Sequence, residues 1–396
     1  MKRFHVHVTD DVLLDLRRRL SATRFPPPSP VGPWSDGTDR GFLGELVEYW
    51  RDGYNWRAQE ALINALPQFL AEADGRKLHV VHARSAAADA LPLLLIHGWP
   101  GSFWEFRRIL PLLTDPAAHG GDPRDAFHVV IPSLPGYGWS AVPDAPGCDP
   151  AAIARAFAAL MAGLGYDRYG AQGGDWGSRI AAQLGVADAG HVLGVHLNFP
   201  SFISPPADYD GSGLGRSDRE ALRATRAFAA DGLAYLQLQS TRPQTPAFAL
   251  SDSPAGLAAW IAEKYQEWSD GELGTAIDRD DLLTIITIYW VTNTIGPSMR
   301  LYREHGRRPW NQKVPVPAGC AVFPAETSPP VRAWVEQFLD VRHWTEMPHG
   351  GHFAALEQPA LLAADIRKFF RPLRGAGLIR SGSADEPTRV VRLRQA

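Results

Sequence analysis

The stretch Gly173-Gly174-Asp175-Trp176-Gly177 sets an aspartate between glycines at a point where a short strand meets a helix. Residues 168–172 before it are typical of a strand, and residues 178–184 after it are typical of a helix. Glycines permit the tight, strained turn on which some enzymes with a parallel sheet expose a nucleophile. A carboxylate there can attack carbon and form an ester, which suits epoxides and alkyl halides. Taken alone, the pentapeptide also fits a glycine-rich turn with a helix-capping aspartate.

From residue 77 onward, short apolar strands alternate with helices, which predicts an α/β fold with a mostly parallel sheet flanked by helices. The strand candidates share a short apolar pattern and are Leu78–Ala83, Leu91–Ile96, Phe127–Ile131, Tyr169–Gln172, Val192–Leu197, Ala318–Phe323 and Val341–Trp344. The main helices predicted between and after them are Phe103–Leu113, Ala151–Leu164 and Phe353–Phe370.

The remaining segments flank or interrupt this core. Residues 1–85 form an N-terminal extension that we expect to wrap the surface, with predicted helices at Asp10–Leu20, Phe42–Tyr49 and Trp56–Phe69 and a proline-rich segment after the first helix. Residues 86–200 and 311–372 are the two parts of the core, and residues 201–310 are a helical insertion with the size of a lid over the carboxyl edge of the sheet. Residues 373–396 lack periodicity and are predicted to be disordered.

Composition narrows the possible partners and locations. The 396 residues are 45% hydrophobic and 21% charged, as in an ordinary globular protein, and the net charge of −3 gives no reason to expect nucleic acid as a partner. Cys148 and Cys320 stand far apart, so we expect no disulfide framework. The N-terminus has no apolar signal region, and no stretch approaches the roughly 20 apolar residues of a membrane span. A cytoplasmic protein without a membrane anchor is the expectation.

A second motif, His97-Gly98-Trp99-Pro100-Gly101-Ser102, follows the predicted strand Leu91–Ile96 directly. Its glycine and proline allow a sharp turn that aims a backbone N–H inward. The N–H groups of Trp99 and Trp176 could then form an oxyanion hole. An ordinary turn after a strand is the alternative, and His97 is expected to be a structural residue.

A base and its acidic partner complete the constellation. The motif Pro348-His349-Gly350-Gly351-His352-Phe353 lies after the last predicted strand, and His352 is preferred over His349 as the base because it adjoins the helix start. Glu326 follows the strand Ala318–Phe323 and could bond the far nitrogen of that imidazole. An exposed loop glutamate and a surface histidine pair are the alternatives. The order Asp175, Glu326, His352 is that of nucleophile, acid and base in the α/β-hydrolase fold.

With these residues in place, the chain resembles the microsomal-type epoxide hydrolases of the α/β-hydrolase superfamily. The likeness runs over about residues 1–372, through Tyr54-Asn55-Trp56-Arg57, the Asp175 motif and Gly350-Gly351-His352-Phe353. It implies an N-terminal segment that wraps core and lid, and two lid tyrosines that donate to the epoxide oxygen, which by motif are Tyr235 and Tyr302. Animal members carry an N-terminal membrane anchor. This sequence departs from them by starting at the wrapping segment, so it looks like a soluble bacterial-type member.

The resemblance implies a reaction that needs no metal or organic cofactor, with an epoxide and water as substrates and a vicinal diol as product. The tryptophans near the motifs could line an apolar pocket, which favours an aromatic epoxide; they are Trp99, Trp104, Trp139, Trp176 and Trp290. A haloalkane-type dehalogenase with the same nucleophile, and a non-catalytic protein that binds an apolar ligand, remain alternatives. A homo-oligomer is left open, as is a role in detoxification or in natural-product synthesis.

Overall fold

The computed structural model describes residues 1–204 and 212–376, and within them nine strands form one sheet. The strands in chain order are β1 (Lys2–Arg3), β2 (Gln68–Ala73), β3 (Arg76–Ala83), β4 (Leu91–Ile96), β5 (Phe127–Pro132), β6 (Tyr169–Gly173), β7 (Val192–Leu197), β8 (Val314–Val322) and β9 (Leu339–Glu346). Their order across the sheet is β1-β2-β3-β5-β4-β6-β7-β8-β9. The pairs from β5 to β9 are parallel, whereas β1, β2 and β3 add antiparallel strands at one edge. The predicted α/β-hydrolase fold is confirmed.

Helices cover the sheet and build the insertion. Those of the N-terminal segment and the core are α1 (Asp10–Ser21), α2 (Arg40–Asp52), α3 (Trp56–Asn64), α4 (Ile109–Thr114), α5 (Pro150–Gly163), α6 (Trp176–Ala187), α13 (Arg332–Phe338), α14 (Ala354–Glu357) and α15 (Pro359–Phe370). Those of the insertion are α7 (Arg216–Asp231), α8 (Ala234–Thr241), α9 (Gln244–Asp252), α10 (Pro254–Trp268), α11 (Arg279–Thr292) and α12 (Ile295–His305). The central strands β5, β6 and β7 are buried along their whole length, as parallel strands covered on both faces should be.

The N-terminal segment differs from its prediction at one helix. The predicted helix over Trp56–Phe69 is wrong beyond Asn64, because Pro67 has no backbone N–H and disfavours helical backbone at the residue before it. The chain turns there into β2, which pairs with β1 and β3.

The N-terminal segment is hydrogen-bonded to the insertion between β7 and β8. The Thr38 hydroxyl donates to the backbone carbonyl of Ala259 at 2.7 Å, and the Tyr49 hydroxyl donates to Asp280 at 2.8 Å.

The insertion between β7 and β8 is fixed to the core by a buried carboxylate. Asp281 of α11 is 1% exposed and accepts hydrogen bonds from the Trp104 indole at 3.0 Å and from Arg107 and Arg108. Charge-assisted bonds of this kind are stronger than neutral ones, and they tie the lid to the turn after β4.

The C-terminal region departs from its prediction in two places. The single helix predicted over Phe353–Phe370 is broken at Gln358, because Pro359 begins α15 and the residue before a proline takes an extended backbone. Residues 373–376, expected to be disordered, end a 3₁₀ helix, since Arg374 donates to the backbone carbonyls of Asp125 and Ala126. The rest of the predicted tail, residues 377–396, lies outside the described residues.

Two further expectations concern cysteines and membranes. Cys148 and Cys320 are both buried and unpaired, which agrees with the absence of a disulfide between them. Within the described residues, no helix combines the length and apolar composition that crossing a membrane requires. The cytoplasmic location expected from the sequence stays a prediction.

Candidate active site

The carboxyl ends of the parallel strands bring the predicted site residues to one edge of the sheet. Ile96 of β4 pairs with Gly173 of β6, so the turns that carry Trp99 and Asp175 begin side by side. On the same edge Val322 of β8 pairs with Glu346 of β9, and the loops after these strands carry Glu326 and His352. The strand order places the loops of β8 and β9 on the far side of β7. Ligand sites of open α/β sheets lie at this edge, where the strand order changes direction.

Asp175 stands on a strained elbow between β6 and α6. Its φ of 49° and ψ of −127° lie in a region that residues with a side chain rarely adopt, and such a conformation costs about 1–3 kcal/mol. The close approach of α6 to β4 makes glycine necessary at residue 177, where a Cβ would lie 1.9 Å from the carbonyl oxygen of Ile96. The elbow therefore needs the glycines around it and holds the carboxylate above the sheet.

The turn after β4 contributes a backbone donor to this carboxylate. The N–H of Trp99 donates to Oδ1 of Asp175 at 2.7 Å. Gly98 is necessary beside it, because a Cβ there would lie 2.1 Å from the same oxygen. Trp176 begins α6, so its N–H is one of the donors that a helix leaves free at its first turn.

The imidazole of His352 lies between two carboxylates. Its Nδ1 is 2.9 Å from Oε2 of Glu326, and its Nε2 is 3.6 Å from Oδ2 of Asp175. Burial alone would lower the pKa of His352, but the charges and hydrogen bonds of Glu326 and Asp175 raise the pKa well above its ordinary value. Glu326 and Asp175 thus favour the protonated form of His352, and one side of its ring faces each carboxylate.

The other two histidines lie apart from this arrangement. His349 is exposed to solvent. His97 is buried and bridges two backbone groups: its Nδ1 donates to the carbonyl of Gly98 and its Nε2 accepts from the N–H of Leu134, both at 3.1 Å. Burial lowers the pKa of His97 to about 4. It is thus a neutral structural residue, as expected from its place in the turn.

The insertion between β7 and β8 brings the two predicted tyrosines to the site. Tyr235 lies on α8 and Tyr302 on α12, and these helices pack against each other. The ring of Tyr235 stacks on Trp99 with centroids 5.5 Å apart, and the ring of Tyr302 meets Trp176 edge-on at 4.8 Å. Burial, followed by the charge of Asp175, raises the pKa of Tyr235 well above its usual value. Burial, then Tyr235 and Asp175, do the same for Tyr302, so both hydroxyls keep their protons.

Comparison with known proteins identifies the family of this chain. Residues 1–106 match the family model for the epoxide hydrolase N terminus, and residues 92–250 match the alpha/beta hydrolase fold. A relative from Stigmatella aurantiaca, whose name contains the words epoxide hydrolase, is 46% identical over 94% of this chain and 85% of its own. Epoxide hydrolase 1 of Sus scrofa is 37% identical over 93% of this chain and 88% of its own. The chain belongs to the epoxide hydrolase family.

A solved structure supports the same assignment. The Aspergillus niger epoxide hydrolase superposes with a TM-score of 0.83 at 33% identity, covering 94% of this chain and 96% of that one. The resemblance stated from the sequence is confirmed. Membership of this family gives epoxide hydrolysis as the reaction of the enzyme.

The main cavity of the epoxide hydrolase has a volume of about 410 Å³, and its lining includes Asp175, Tyr235, Tyr302 and His352. Of the five tryptophans suggested for its lining, Trp176 alone lies in it. The others serve structure: Trp104 bonds Asp281, Trp139 packs on His79 and Phe103, Trp290 lies under Arg19, and Trp99 supports Tyr235. The aromatic lining that the sequence did not suggest is Phe199, Phe202, Phe228 and Trp268.

A smaller cavity of about 20 Å³ lies behind the carboxylate of Asp175. A single water needs about 10–15 Å³ measured in this way. Glu105, Asn198 and His352 also line the small cavity. Glu105 accepts a hydrogen bond from the N–H of Ser102 at 3.1 Å, and burial raises the pKa of Glu105 to about 8. Sequence reasoning missed Glu105, although its place three residues after Ser102 is a capping-box signal.

Within the described residues, side chains that could bind a metal do not cluster. Among residues 1–204 and 212–376, no cluster of three or more His, Cys, Asp or Glu side chains has the geometry to hold a metal ion.

Proposed function

We propose that this enzyme opens its epoxide through a covalent ester on Asp175. One observation carries the proposal: a carboxylate on a strained elbow shares a single pocket with a paired imidazole and two tyrosines. The two oxygens of that carboxylate have different surroundings. Oδ1 is held by the Trp99 N–H at 2.7 Å, whereas Oδ2 is the oxygen nearer to His352. Oδ2 is therefore the attacking atom in our proposal.

In the first step, Oδ2 forms a bond to one epoxide carbon while the bond from that carbon to the epoxide oxygen breaks. The hydroxyls of Tyr235 and Tyr302 donate to the departing oxygen, which takes one tyrosine proton and ends as a hydroxyl. The protonated His352 then replaces that proton and becomes a neutral base. Their raised pKa values suit this role, because only a protonated tyrosine can donate. Positioned donors of this kind stabilise the charge that develops on oxygen in the transition state.

In the second step, water cleaves the ester. His352 takes a proton from a water molecule, and the resulting hydroxide attacks Cγ of Asp175. The tetrahedral oxyanion forms on Oδ1, where the Trp99 N–H already lies within the 2.7–3.1 Å range of an effective donor. The N–H of Trp176 is the second donor in the proposal. Collapse breaks the bond between Cγ and the alkyl oxygen, which takes the remaining proton of the water that was added to Cγ. The diol leaves, Asp175 is again a carboxylate, and His352 is again protonated.

The small cavity supplies a place for this water. It borders Asp175 and His352 and is large enough for about one molecule. With a pKa of about 8, Glu105 is protonated at neutral pH, so its carboxyl group can hold a water without adding a third negative charge beside Asp175 and Glu326. We therefore propose Glu105 as the residue that positions the hydrolytic water.

The pocket lining supports an apolar substrate, by preference an aromatic one. Phe199, Phe228 and Trp268 line the cavity that contains Asp175. Flat apolar groups bury well against such rings. A volume of about 410 Å³ fits a small to medium-sized organic molecule.

The alternatives have less support. The indole N–H groups of Trp99 and Trp176 are buried without a hydrogen-bond partner in the described residues and could face a halide. The two lid tyrosines, however, have a role in opening an epoxide and none in releasing a halide, and the relatives are named epoxide hydrolases. A purely ligand-binding protein would not require an ion pair of His352 and Glu326 beside Asp175.

The proposal is tested by trapping the ester. His352→Gln incubated with styrene oxide should gain the mass of one substrate molecule on the peptide that carries Asp175, because the ester forms but is not hydrolysed. His349→Gln, a matched change at an exposed histidine three residues earlier, should form diol without accumulating ester. An unmodified Asp175 in His352→Gln, under conditions in which the wild type makes diol, would rule out the covalent route. Halide release from alkyl halides without diol formation would instead favour a dehalogenase.

A further inference from the structure

One end of the main cavity is strongly basic. Three arginines, Arg179, Arg307 and Arg308, line it, whereas Asp175 is the one carboxylate among the described lining residues. His305 lies among these arginines, and burial, together with Arg179 and Arg308, lowers the pKa of His305 to about 4. A pocket made only for apolar epoxides would have no use for this concentration of positive charge.

Within the described residues, Arg179 and Arg307 of this group have no acidic partner, and Arg179 is the less exposed of the two. Its guanidinium donates to the backbone carbonyls of Phe202 at 3.1 Å and Arg308 at 3.4 Å, and it lies over the rings of Phe202 and Trp310. Within residues 1–204 and 212–376, no carboxylate pairs with it. By contrast, Arg308 contacts Asp149 at 3.1 Å. A partly buried charge normally has a counter-charge, because removing it from water is costly.

The position of Arg179 relates it to the reacting centre. Arg179 is the fourth residue of α6, Asp175 is the residue directly before that helix, and both residues line the same cavity. A substrate in this cavity could therefore contact both Asp175 and Arg179. The rings of Phe199 and Phe202 line the same cavity.

We propose that Arg179 binds a carboxylate of the substrate, and that the preferred substrates are epoxides that carry a carboxylate across an aromatic or short aliphatic spacer. This inference rests on the proposed attack of Asp175 on an epoxide. A guanidinium can hold a carboxylate through two parallel hydrogen bonds, which would also fix the direction in which the epoxide enters. The apolar lining then contacts the spacer.

The test compares styrene oxide, its 4-carboxylate and the methyl ester of that acid, with diol formation as the readout. In Arg179→Met, the ratio of kcat/KM for the carboxylate to kcat/KM for styrene oxide should fall roughly 10- to 100-fold, the range expected for loss of a charged hydrogen bond. Arg179→Lys should recover part of the ratio. Arg303→Met, at an exposed arginine outside the cavity, should leave the ratio unchanged. A purely structural role would lower both kcat/KM values equally, and an unchanged ratio in Arg179→Met overturns the proposal.

Two further measurements keep the outcomes apart. If the Arg179 variants do not fold, inhibition of the wild type by the diol carboxylate and by the neutral diol decides, because equal inhibition overturns the proposal. Residues 205–211, which lie outside the described residues, contain Asp208 and Asp210. If the double variant Asp208→Asn/Asp210→Asn gains a carboxylate preference that the wild type lacks, Arg179 serves that segment and the proposal is wrong. Absence of diol from every epoxide would refute the proposed function itself.

Discussion

Removal of the Tyr302 hydroxyl separates a catalytic donor from a packing residue. Tyr302 is 3% exposed, and its hydroxyl has no hydrogen-bond partner within the described residues. In Tyr302→Phe the ring keeps its edge-on contact with Trp176, so packing is retained. The free energy of unfolding should therefore change by less than about 1 kcal/mol, because the hydroxyl lines the cavity and does not hold the core together.

The same variant should alkylate Asp175, that is, form the ester, more slowly than the wild type. Loss of one preorganised donor to a developing oxyanion costs about 10²–10³ in rate. Ester formation in Tyr302→Phe should slow by that factor, whereas hydrolysis of an ester already formed should change little, because its oxyanion forms at Trp99 and Trp176. Rapid quenching with styrene oxide, followed by the protein mass and the amount of diol, measures both steps. Tyr235→Phe should behave alike.

Tyr169→Phe is the matched control. Its hydroxyl donates to Asp188 at 2.7 Å, away from the cavity. This variant should lose about 1.5 kcal/mol of unfolding free energy while alkylation stays normal. The reasoning fails if Tyr302→Phe loses stability as Tyr169→Phe does, or if it alkylates at the wild-type rate.

Three other changes test the remaining parts of the site. Gly98→Ala should fold but lose at least about 100-fold in kcat, because its Cβ would displace Oδ1 of Asp175; circular dichroism and diol assays check this, and near-normal turnover would contradict it. In the wild type, the pKa of Glu105 is raised from 4.5, its ordinary value in an unfolded chain, to about 8 in the folded protein. The stability that Glu105 contributes is therefore complete below about pH 4.5 and is lost as the pH rises through 8. Urea unfolding of Glu105→Gln from pH 5 to 9 should show a smaller decline, and equal slopes would refute the assignment. Asp175→Asn should lower the pKa of His352, as seen by titration of its imidazole signals, and an unchanged pKa would contradict the proposed coupling.

Sequence reasoning identified those parts of the site that follow strand ends. Asp175, Glu326 and His352 lie at the carboxyl edge because turn glycines and short apolar strands mark that edge locally. Tyr235 and Tyr302 came from the resemblance, since nothing in their own segments distinguishes them from tyrosines in a core.

Residues whose role depends on contacts distant in sequence were missed. Four of the five tryptophans suggested for the pocket do not line it for this reason: Trp104, for example, contacts a carboxylate 177 residues away, and no local pattern records that. Glu105 and Arg179 likewise lie in ordinary helical segments, and the roles proposed for them follow from the cavities they line.

The charges of the site impose an order on the proposed steps. Burial opposes the positive charge of His352, and two carboxylates, Glu326 and Asp175, overcome it. A resting imidazolium cannot take a proton from water, so no hydroxide forms while the epoxide is intact. Ester formation neutralises Asp175, which removes one of the two negative charges that keep His352 protonated. The tyrosine that has given its proton to the alkoxide then needs a proton in return. The pKa of His352 therefore falls at the stage when a base is required, and hydrolysis follows alkylation because the first step changes the charge that the second step depends on.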